Sequence, residues 1–355
     1  MMKVLYPIAS QTVSNPFVVT IAEELTNLGV DCTISIDDFW NNPEAYDLIH
    51  FQWPEAVYLW KRSITKKQLE NVAQQLDKIK SMQVMIAITC HNLKPHLTGD
   101  GNVIALYDVI YSHCNLFFHM GQYSQEVLQK QYPEAKHVIV PHHLYDSIYR
   151  FDKNRSAACT ELDIPGNKFN ILSFGEFRTD AEREMIQCLA KRLDKHHIQF
   201  LVPGFYRERI LTKRLTELPQ RIYKTLIYSL QGFKFQKNYV DIADTVRYFC
   251  AADIVLIQRL SILNSGNLPM AFAAGKVALG PDVGNVGRIL TETGNPTFDP
   301  QNTSTILLAI EKAQELCKNE KGLKNKIYAE KHWRTATVAQ AVLQHYQSIV
   351  LAQSF

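Results

Sequence analysis

Residues 263–275 have the sequence Leu263-Asn264-Ser265-Gly266-Asn267-Leu268-Pro269-Met270-Ala271-Phe272-Ala273-Ala274-Gly275. An apolar run at 252–257 precedes this stretch, and a second apolar run at 276–279 follows it. The pattern predicts a strand, a polar turn, a short helix and a second strand. Pro269 fits the first turn of that helix, because proline lacks the N–H group that a first turn leaves unpaired.

The start of this predicted helix is a candidate site for a phosphate group. Free N–H groups point outward from a helix N-terminus, where the helix dipole is also positive. The residues at that position are Asn264, Ser265, Gly266 and Asn267. An ordinary capped turn is the alternative, because a single Ser-Gly turn is a weak signal without further support.

Composition and charge narrow the class of protein. The chain has 355 residues, which predicts two domains, and a net charge of +3, which does not indicate a nucleic-acid partner. Its seven cysteines are scattered and odd in number, so we expect reduced thiols, a cytoplasmic location and no zinc site. The sequence has no run of about 18 apolar residues, and we therefore expect no membrane-spanning segment.

Short apolar runs alternate with amphipathic segments along the chain. The runs 3–8, 46–51 and 84–89 are typical of buried strands, and the segment 65–80 is typical of an amphipathic helix. The pattern pauses at the polar segment 150–168 and then restarts. This alternation predicts an α/β fold of two doubly wound parallel-sheet (Rossmann-like) domains that face a central cleft.

The pause in the pattern sets the predicted domain boundaries. We place the first domain at residues 1–150 and the second at 151–335. The last helix, within 336–355, carries an apolar stripe, and we expect it to pack back on the first domain. The basic stretch 207–224 is interpreted as a solvated face, with a surface for acidic lipid or glycan as the alternative.

A polar turn follows the first predicted strand of the second half. Arg178 lies in this turn, after the strand 169–174. Ligand sites in open parallel sheets collect at the carboxyl ends of the strands, and a guanidinium fork beside a helix N-terminus suits a diphosphate. A surface salt bridge is the alternative role for Arg178. Arg183 is interpreted as a solvated helix residue.

His91 follows the strand 84–89 at the same edge of the first half. It would bind a sugar hydroxyl or a reacting phosphate, and a structural histidine is the alternative. His91 and His96 do not share a helix face, because Pro95 lies between them, and no third metal ligand is evident. We therefore expect no zinc site at these histidines.

Other candidate residues lie at a strand end and at the crossover between the halves. Trp53 and Glu55 follow the strand 46–51, where they would offer a stacking ring and a carboxylate to a sugar. A packed tryptophan and a helix-capping glutamate are the equally weighted alternative. His142 and Tyr145 lie at the crossover, where they either line the cleft or brace the hinge.

Taken together, these residues resemble the GT-B glycosyltransferases, in particular the retaining, family-4-like group. The resemblance covers most of the chain. The matching motifs are Asn15-Pro16-Phe17, His50-Phe51-Gln52-Trp53-Pro54-Glu55, Thr89-Cys90-His91-Asn92-Leu93 with Pro95-His96, Pro141-His142 with Tyr145, Phe174-Gly175 with Arg178, Ala251-Ala252-Asp253-Ile254-Val255-Leu256, and Asn264-Ser265-Gly266 with Leu268. Each motif is weak alone, and the set in this order is fairly specific.

The resemblance implies a nucleotide-diphosphate sugar as donor substrate, with no separate cofactor and no bound metal. Arg178 and the turn Asn264–Asn267 would hold the diphosphate, and His91 would act as the catalytic contact to the donor sugar. The residues expected to meet the base are Phe235, Val240 and Asp241. The residues expected near a glycan or lipid-linked acceptor are Asn15, Trp53, Glu55, His96, His142 and Tyr145.

The sequence departs from the family pattern at two places. The family usually carries a pair of glutamates around the phosphate-binding turn, and Ile262 and Met270 occupy those positions here. The family also often has a lysine shortly after the phosphate-binding arginine, where this chain has Arg183. Because of these departures, a chain without catalytic activity is considered as an alternative.

Three functions are therefore considered. The first is a retaining glycosyltransferase for a cell-surface polysaccharide or glycoconjugate, with peripheral membrane contact left open. The second is a catalytically silent GT-B subunit that partners an active glycosyltransferase. The third is a nucleotide-sugar epimerase, which ranks last because the predicted cleft turns offer mainly Glu55 and Glu176 as carboxylates.

Overall fold

The structure is a computed structural model that describes residues 1–9, 16–95, 100–205, 233–234, 240–302 and 304–353. The basic stretch 207–224 lies outside the described residues. The predicted site residues Asn15, His96 and Phe235 also lie outside them.

The chain divides into two compact units. Unit 1 consists of Met1–Tyr145 and His332–Phe355, and unit 2 consists of Asp146–Lys331. In the part of the chain that the structure describes, each unit contains one six-stranded sheet, and every paired strand in both sheets runs parallel to its neighbour. The prediction of two doubly wound parallel-sheet domains is confirmed.

The strands are β1 (Lys3–Tyr6), β2 (Asp31–Ile34), β3 (Leu48–Phe51), β4 (Met85–Thr89), β5 (Leu116–His119), β6 (Lys136–Ile139), β7 (Phe169–Leu172), β8 (Ile198–Leu201), β9 (Phe233–Lys234), β10 (Ile254–Leu256), β11 (Val277–Pro281) and β12 (Thr297–Phe298). Their order is β2-β1-β3-β4-β5-β6 in unit 1 and β12-β11-β10-β7-β8-β9 in unit 2. Counted within unit 2, this is the strand order 3-2-1-4-5-6 that dinucleotide-binding sheets adopt, with a switch point between β7 and β10.

The described helices are α1 (Pro16–Asn27), α2 (Ile36–Asn41), α3 (Lys66–Ser81), α4 (Gly101–His113), α5 (Gln122–Gln131), α6 (Arg155–Glu161), α7 (Asp180–Arg192), α8 (Ile242–Ala251), α9 (Asn267–Ala273), α10 (Gly284–Glu292), α11 (Thr305–Lys318), α12 (Lys321–His332) and α13 (Thr335–Val350). They connect the strands and cover the sheets. None of the described helices is long and apolar enough to cross a bilayer.

The core of each unit forms on its sheet. Ile49, Ile86 and Phe117 are fully buried in unit 1, and Ile171 and Leu256 are fully buried in unit 2. These strands read as near-continuous apolar runs, because helices cover both faces of a parallel sheet.

The helix α13 packs against α1 within unit 1. Tyr346, on α13, is fully buried, and its hydroxyl lies 3.1 Å from the hydroxyl of Tyr6 on β1. The end of the chain therefore belongs to the same folded unit as its beginning.

Helix α6 was not expected from the sequence. The polar segment 150–168 was interpreted as a junction, and it contains α6. Arg155, at the start of α6, reaches both carboxylate oxygens of Asp253 at 2.8 Å, and it also donates to the carbonyl oxygen of Gly166 at 2.7 Å. Polar residues that resemble a linker in the sequence thus form a short helix that is bound to the rest of unit 2.

Two glycines bring the turns after β7 and β8 into direct contact. Gly175 has a φ of +89°, which few other residues adopt. A Cβ added at Gly204 would lie 2.0 Å from the carbonyl oxygen of Gly175. The backbones approach this closely only because Gly204 carries no side chain, since nothing lies within 4 Å of a Cβ at Gly175.

We predict that Gly204→Ala destabilises unit 2 by about 2 kcal/mol or more, because backbone atoms must shift to admit the methyl group. Urea denaturation followed by circular dichroism would measure the loss. Gly166→Ala is the matched control, because nothing lies within 4 Å of a Cβ at that position. Equal stability of the two variants would contradict the close approach.

Candidate functional site

The candidate site in unit 2 lies at the switch point of its sheet. β7 and β10 are neighbouring parallel strands, with Ile171 opposite Ile254. The segments that follow them leave the sheet at the same edge. Crevices at switch points are where open α/β sheets bind ligands.

The structure brings the two predicted diphosphate-binding turns together at this edge. The side-chain amide of Asn267 donates to the carbonyl oxygen of Phe174 at 2.8 Å. The side-chain amide of Gln258 donates to the same oxygen at 3.1 Å. The turn that carries Arg178 and the turn before α9 are therefore joined directly, as strand-end reasoning predicts.

A buried carboxylate organises two arginines beside these turns. One Glu182 oxygen accepts the backbone N–H of Arg178 at 2.7 Å and Nη1 of Arg259 at 2.9 Å. The Glu182 side chain is 4% exposed. Burial, together with the nearby positive charge of Arg178, lowers the pKa of Arg259. Glu176 is the second carboxylate close enough to act on Arg259.

Arg259 was not among the residues chosen from the sequence. The signal for it was present, because Gln258 and Arg259 directly follow the apolar run 252–257, and polar residues at strand ends are where the other candidates lie. Arg259 is a stronger candidate for binding the diphosphate than Arg183. Arg183 donates to Phe177 O at 2.7 Å and to Asp180 at 3.1 Å, and it therefore stabilises the turn before α7.

The turn before α9 is ordered by its own polar groups. Asn264 accepts a hydrogen bond from the amide of Asn285 at 2.8 Å. Ser265 Oγ accepts the backbone N–H of Asn267 at 3.3 Å, and Ser265 O accepts the N–H of Leu268 at 3.2 Å. Gly266 is the N-cap. One of the N–H groups that the sequence offered to a phosphate, that of Asn267, therefore has a partner within the turn.

Two predicted base-binding residues lie at the start of α8. Asp241 is the N-cap, and its carboxylate accepts the backbone N–H of Asp244 at 2.7 Å. Val240 precedes it and is partly exposed. The structure thus gives Asp241 a helix-capping role, and contact of either residue with a base stays a prediction.

In unit 1, the predicted residues gather around one aromatic ring. The ring of Phe17, at the start of α1, lies 4.8 Å from His91, 4.9 Å from His142 and 4.7 Å from His143. Trp53 stacks on the other side of this group, with its ring 4.4 Å from that of His91 and nearly parallel to it. The structure therefore places three predicted site residues in one aromatic cluster.

A chain of polar side chains runs from this cluster into the interior of unit 1. His91 Nε2 lies 2.9 Å from Oε1 of Gln52, and Nε2 of Gln52 lies 3.2 Å from Nε2 of His50. His50 Nδ1 then lies 2.5 Å from the hydroxyl of Tyr346. Thr89 adds a hydrogen bond to His50 Nε2 at 2.8 Å.

The hydrogen-bonding capacity of these groups fixes the positions of the protons. An amide oxygen only accepts, so His91 carries its proton on Nε2. An amide nitrogen only donates, so Nε2 of His50 is unprotonated and Nδ1 donates to Tyr346. Burial lowers the pKa of His50 to about 3 and keeps this ring neutral. Gln52, which was quoted only as part of a motif, therefore sets the tautomer of His91.

The remaining unit 1 candidates also have intrachain partners. Both carboxylate oxygens of Glu55 accept the Tyr107 hydroxyl at 2.9 Å, and burial raises the pKa of Glu55. Tyr145 has a φ of +57°, and its hydroxyl lies 3.2 Å from Nε2 of His142. Their roles toward an acceptor stay predictions. Among the described residues, no group of three or more His, Cys, Asp or Glu side chains is arranged to hold a metal ion.

Buried neutral histidines predict how the stability of unit 1 depends on pH. Burial lowers the pKa of His50, His119 and His143 to about 3. The unfolded chain binds protons at these residues below about pH 6.5, whereas the folded chain does not. We predict that stability falls as the pH drops from about 6.5 toward 3, by up to about 1.4 kcal/mol per pH unit for each histidine.

Tryptophan fluorescence is the appropriate measurement, because all four tryptophans belong to unit 1. They are Trp40, Trp53, Trp60 and Trp333. Urea denaturation at several pH values in this range would give the slope of the unfolding free energy against pH. His119→Gln should reduce this slope, because one fewer histidine binds a proton on unfolding. A slope that is the same in the variant would show that His119 titrates normally in the folded chain.

Solved structures of glycosyltransferases match nearly the whole chain. Sucrose-phosphate synthase from Thermosynechococcus elongatus matches with a TM-score of 0.72 and 12% identity, over 99% of this chain and 100% of the synthase. Anabaena HepE, solved with UDP, matches with a TM-score of 0.69 and 14% identity, over 98% of this chain and 100% of HepE. This chain has the GT-B fold.

A GT-B epimerase matches less well. The UDP-GlcNAc 2-epimerase from Neisseria meningitidis, solved with UDP-GlcNAc, has a TM-score of 0.59 and 12% identity, over 99% of this chain and 100% of the epimerase. No family model matches the sequence, and no curated protein matches it. At these identities, the GT-B likeness describes the fold and leaves the activity to be argued from the site.

Proposed function

We propose that this GT-B chain is a glycosyltransferase that moves a sugar from a nucleotide-diphosphate sugar to a glycan or glycoconjugate acceptor. The proposal includes retention of the anomeric configuration, independence of metal ions and a role in cell-surface polysaccharide synthesis. The observation that carries it is the hydrogen bond between Asn267 and Phe174, which joins the two predicted diphosphate-binding turns at the switch point of unit 2.

The arginines beside these turns suit the chemistry of the leaving group. Transfer of the sugar leaves negative charge on the diphosphate, and fixed cations stabilise that charge without reorganisation. The Glu182 carboxylate accepts hydrogen bonds from the guanidinium group of Arg259 and from the backbone N–H of Arg178. In the proposed enzyme these guanidinium groups take the part that a metal ion plays elsewhere.

Unit 1 supplies the proposed contacts to the sugar and the acceptor. His91 presents a ring whose orientation is set by stacking on Trp53 and by the hydrogen bond to Gln52. In this tautomer Nδ1 of His91 is a hydrogen-bond acceptor, which suits a sugar hydroxyl. Trp53, Glu55, His142 and Tyr145 are the proposed acceptor residues among those described.

A catalytically silent GT-B subunit is the second candidate. Ile262 and Met270 stand where the family usually has glutamates, and Met270 is 7% exposed in an apolar setting. Neither side chain can act as an acid, a base or a ligand for the nucleotide. The epimerase is less well supported, because the Glu55 carboxylate is held by Tyr107 and the structural match is weaker.

A thermal-shift screen against UDP, GDP, ADP, CMP and their sugar conjugates tests the donor site. A ligand at about 100 times its Kd stabilises a protein by about 2.7 kcal/mol, which raises its melting temperature measurably. A shift with one nucleotide supports the transferase and identifies the base. A folded sample that responds to none of them would overturn the proposal and favour the silent subunit.

We predict that Arg178→Ala weakens binding of the nucleotide diphosphate found in that screen by more than about 1.5 kcal/mol, roughly tenfold. The loss is expected because a charge-assisted hydrogen bond to phosphate disappears. Isothermal titration calorimetry measures it. Arg192→Ala is the matched control, because Arg192 is exposed in the last turn of α7, the helix that follows the Arg178 turn. Unchanged affinity in Arg178→Ala would remove this residue from the site.

A further inference from the structure

The loop that follows β3 in unit 1 exposes two large apolar side chains. Leu59 is 54% exposed and Trp60 is 41% exposed. They follow the 3-10 helix Pro54–Tyr58 and lie between the buried residues Val57 and Ile64. Exposed apolar residues scattered singly are normal, but a leucine beside a tryptophan on one loop needs an explanation.

The backbone of this loop is held in an unfavourable conformation. Leu59 has a φ of +55° and Trp60 a φ of +61°, a region that residues with bulky side chains rarely adopt. Strain of this kind persists where the surroundings impose it, and it is concentrated at functional positions. Asparagine or glycine would relieve it, and the chain has neither here.

The surroundings hold the loop rigidly in this shape. The backbone N–H groups of Leu59 and Trp60 donate to Ala56 O and Glu55 O, both at 3.0 Å. The Tyr58 hydroxyl donates to Gln68 O at 2.6 Å. The Leu59 side chain and the exposed part of the Trp60 ring, whose centroid lies 5.5 Å from that of Trp53, are therefore presented by a loop that is fixed before any partner arrives. This lowers the entropic cost of binding.

Positive charge surrounds the two apolar side chains. The exposed basic residues that follow them are Lys61, Arg62, Lys66 and Lys67. Lys66 pairs with Glu70 at 4.0 Å, and no ion pair within the described part of the chain involves the other three. Asp100 also faces the loop and accepts a hydrogen bond from Ser63. The surface is thus apolar at its tip and net basic around it.

We propose that the loop Leu59–Lys67 docks unit 1 on an anionic lipid bilayer. Tryptophan and leucine insert at the level of the headgroups, and lysine and arginine bind the anionic headgroups around them. A glycan fits this surface less well, because sugar hydroxyls need acceptors as well as donors, and lysine and arginine only donate. The inference does not depend on the proposed transferase activity.

Sedimentation with vesicles of phosphatidylcholine, with and without phosphatidylglycerol, tests the proposal. We expect the wild-type chain to partition onto the anionic vesicles only, and less so as salt is added. Leu59→Asn with Trp60→Asn should lower partitioning at least tenfold. Lys61→Gln with Arg62→Gln should lower it about fivefold for each charge removed.

Two controls distinguish a loss of docking from misfolding and from a non-specific effect of the reduced net charge. Asparagine tolerates a positive φ, so the Leu59→Asn/Trp60→Asn variant should keep the melting temperature of the wild type. Lys78→Gln with Lys80→Gln removes two exposed charges from the far end of α3 and should leave partitioning unchanged.

Three results would overturn the proposal. The first is a wild-type chain that binds neither kind of vesicle. The second is equal partitioning of the wild type and the Leu59→Asn/Trp60→Asn variant. The third is a variant that keeps vesicle binding and loses affinity for an acceptor glycan, which would assign the loop to the sugar.

Discussion

The parallel pairing of all the described strands is the constraint on which both candidate sites depend. Parallel strands all have their carboxyl ends at the same edge of the sheet. The turns that follow the strands therefore gather at that edge, even when they are far apart in the sequence. Phe174 and Asn267 are far apart in the chain and meet in one hydrogen bond because β7 and β10 are neighbours. In unit 1 the same constraint places Gln52 and His91 together, at the ends of β3 and β4.

Buried polar groups then fix the side chains at those edges. Glu182 in unit 2 and His50 in unit 1 are both buried, and each makes at least two hydrogen bonds. A buried polar group that loses a partner is costly, so such groups hold their neighbours in one arrangement. The same burial that orders the sites keeps several histidines neutral and makes unit 1 sensitive to acid.

The sequence was sufficient for the fold and for the location of the turns, and less so for the roles of individual residues. Apolar runs identify buried strands, and strand ends identify the site edges. The partners of a side chain depend on packing between distant segments, which is why Tyr107 beside Glu55 and Arg259 beside Glu182 were not foreseen. Helix α6 was missed for a similar reason, because its first residue, Arg155, is bound by Asp253, which lies far away in the sequence.

In the proposed function, the joined turns of unit 2 hold the diphosphate of a nucleotide sugar. A crystal structure of the chain with such a donor would test this binding mode. We expect phosphate oxygens within hydrogen-bonding distance of the Arg178 guanidinium and of the turn Asn264–Asn267. A nucleotide bound elsewhere, with this edge of the sheet free of phosphate, would contradict it.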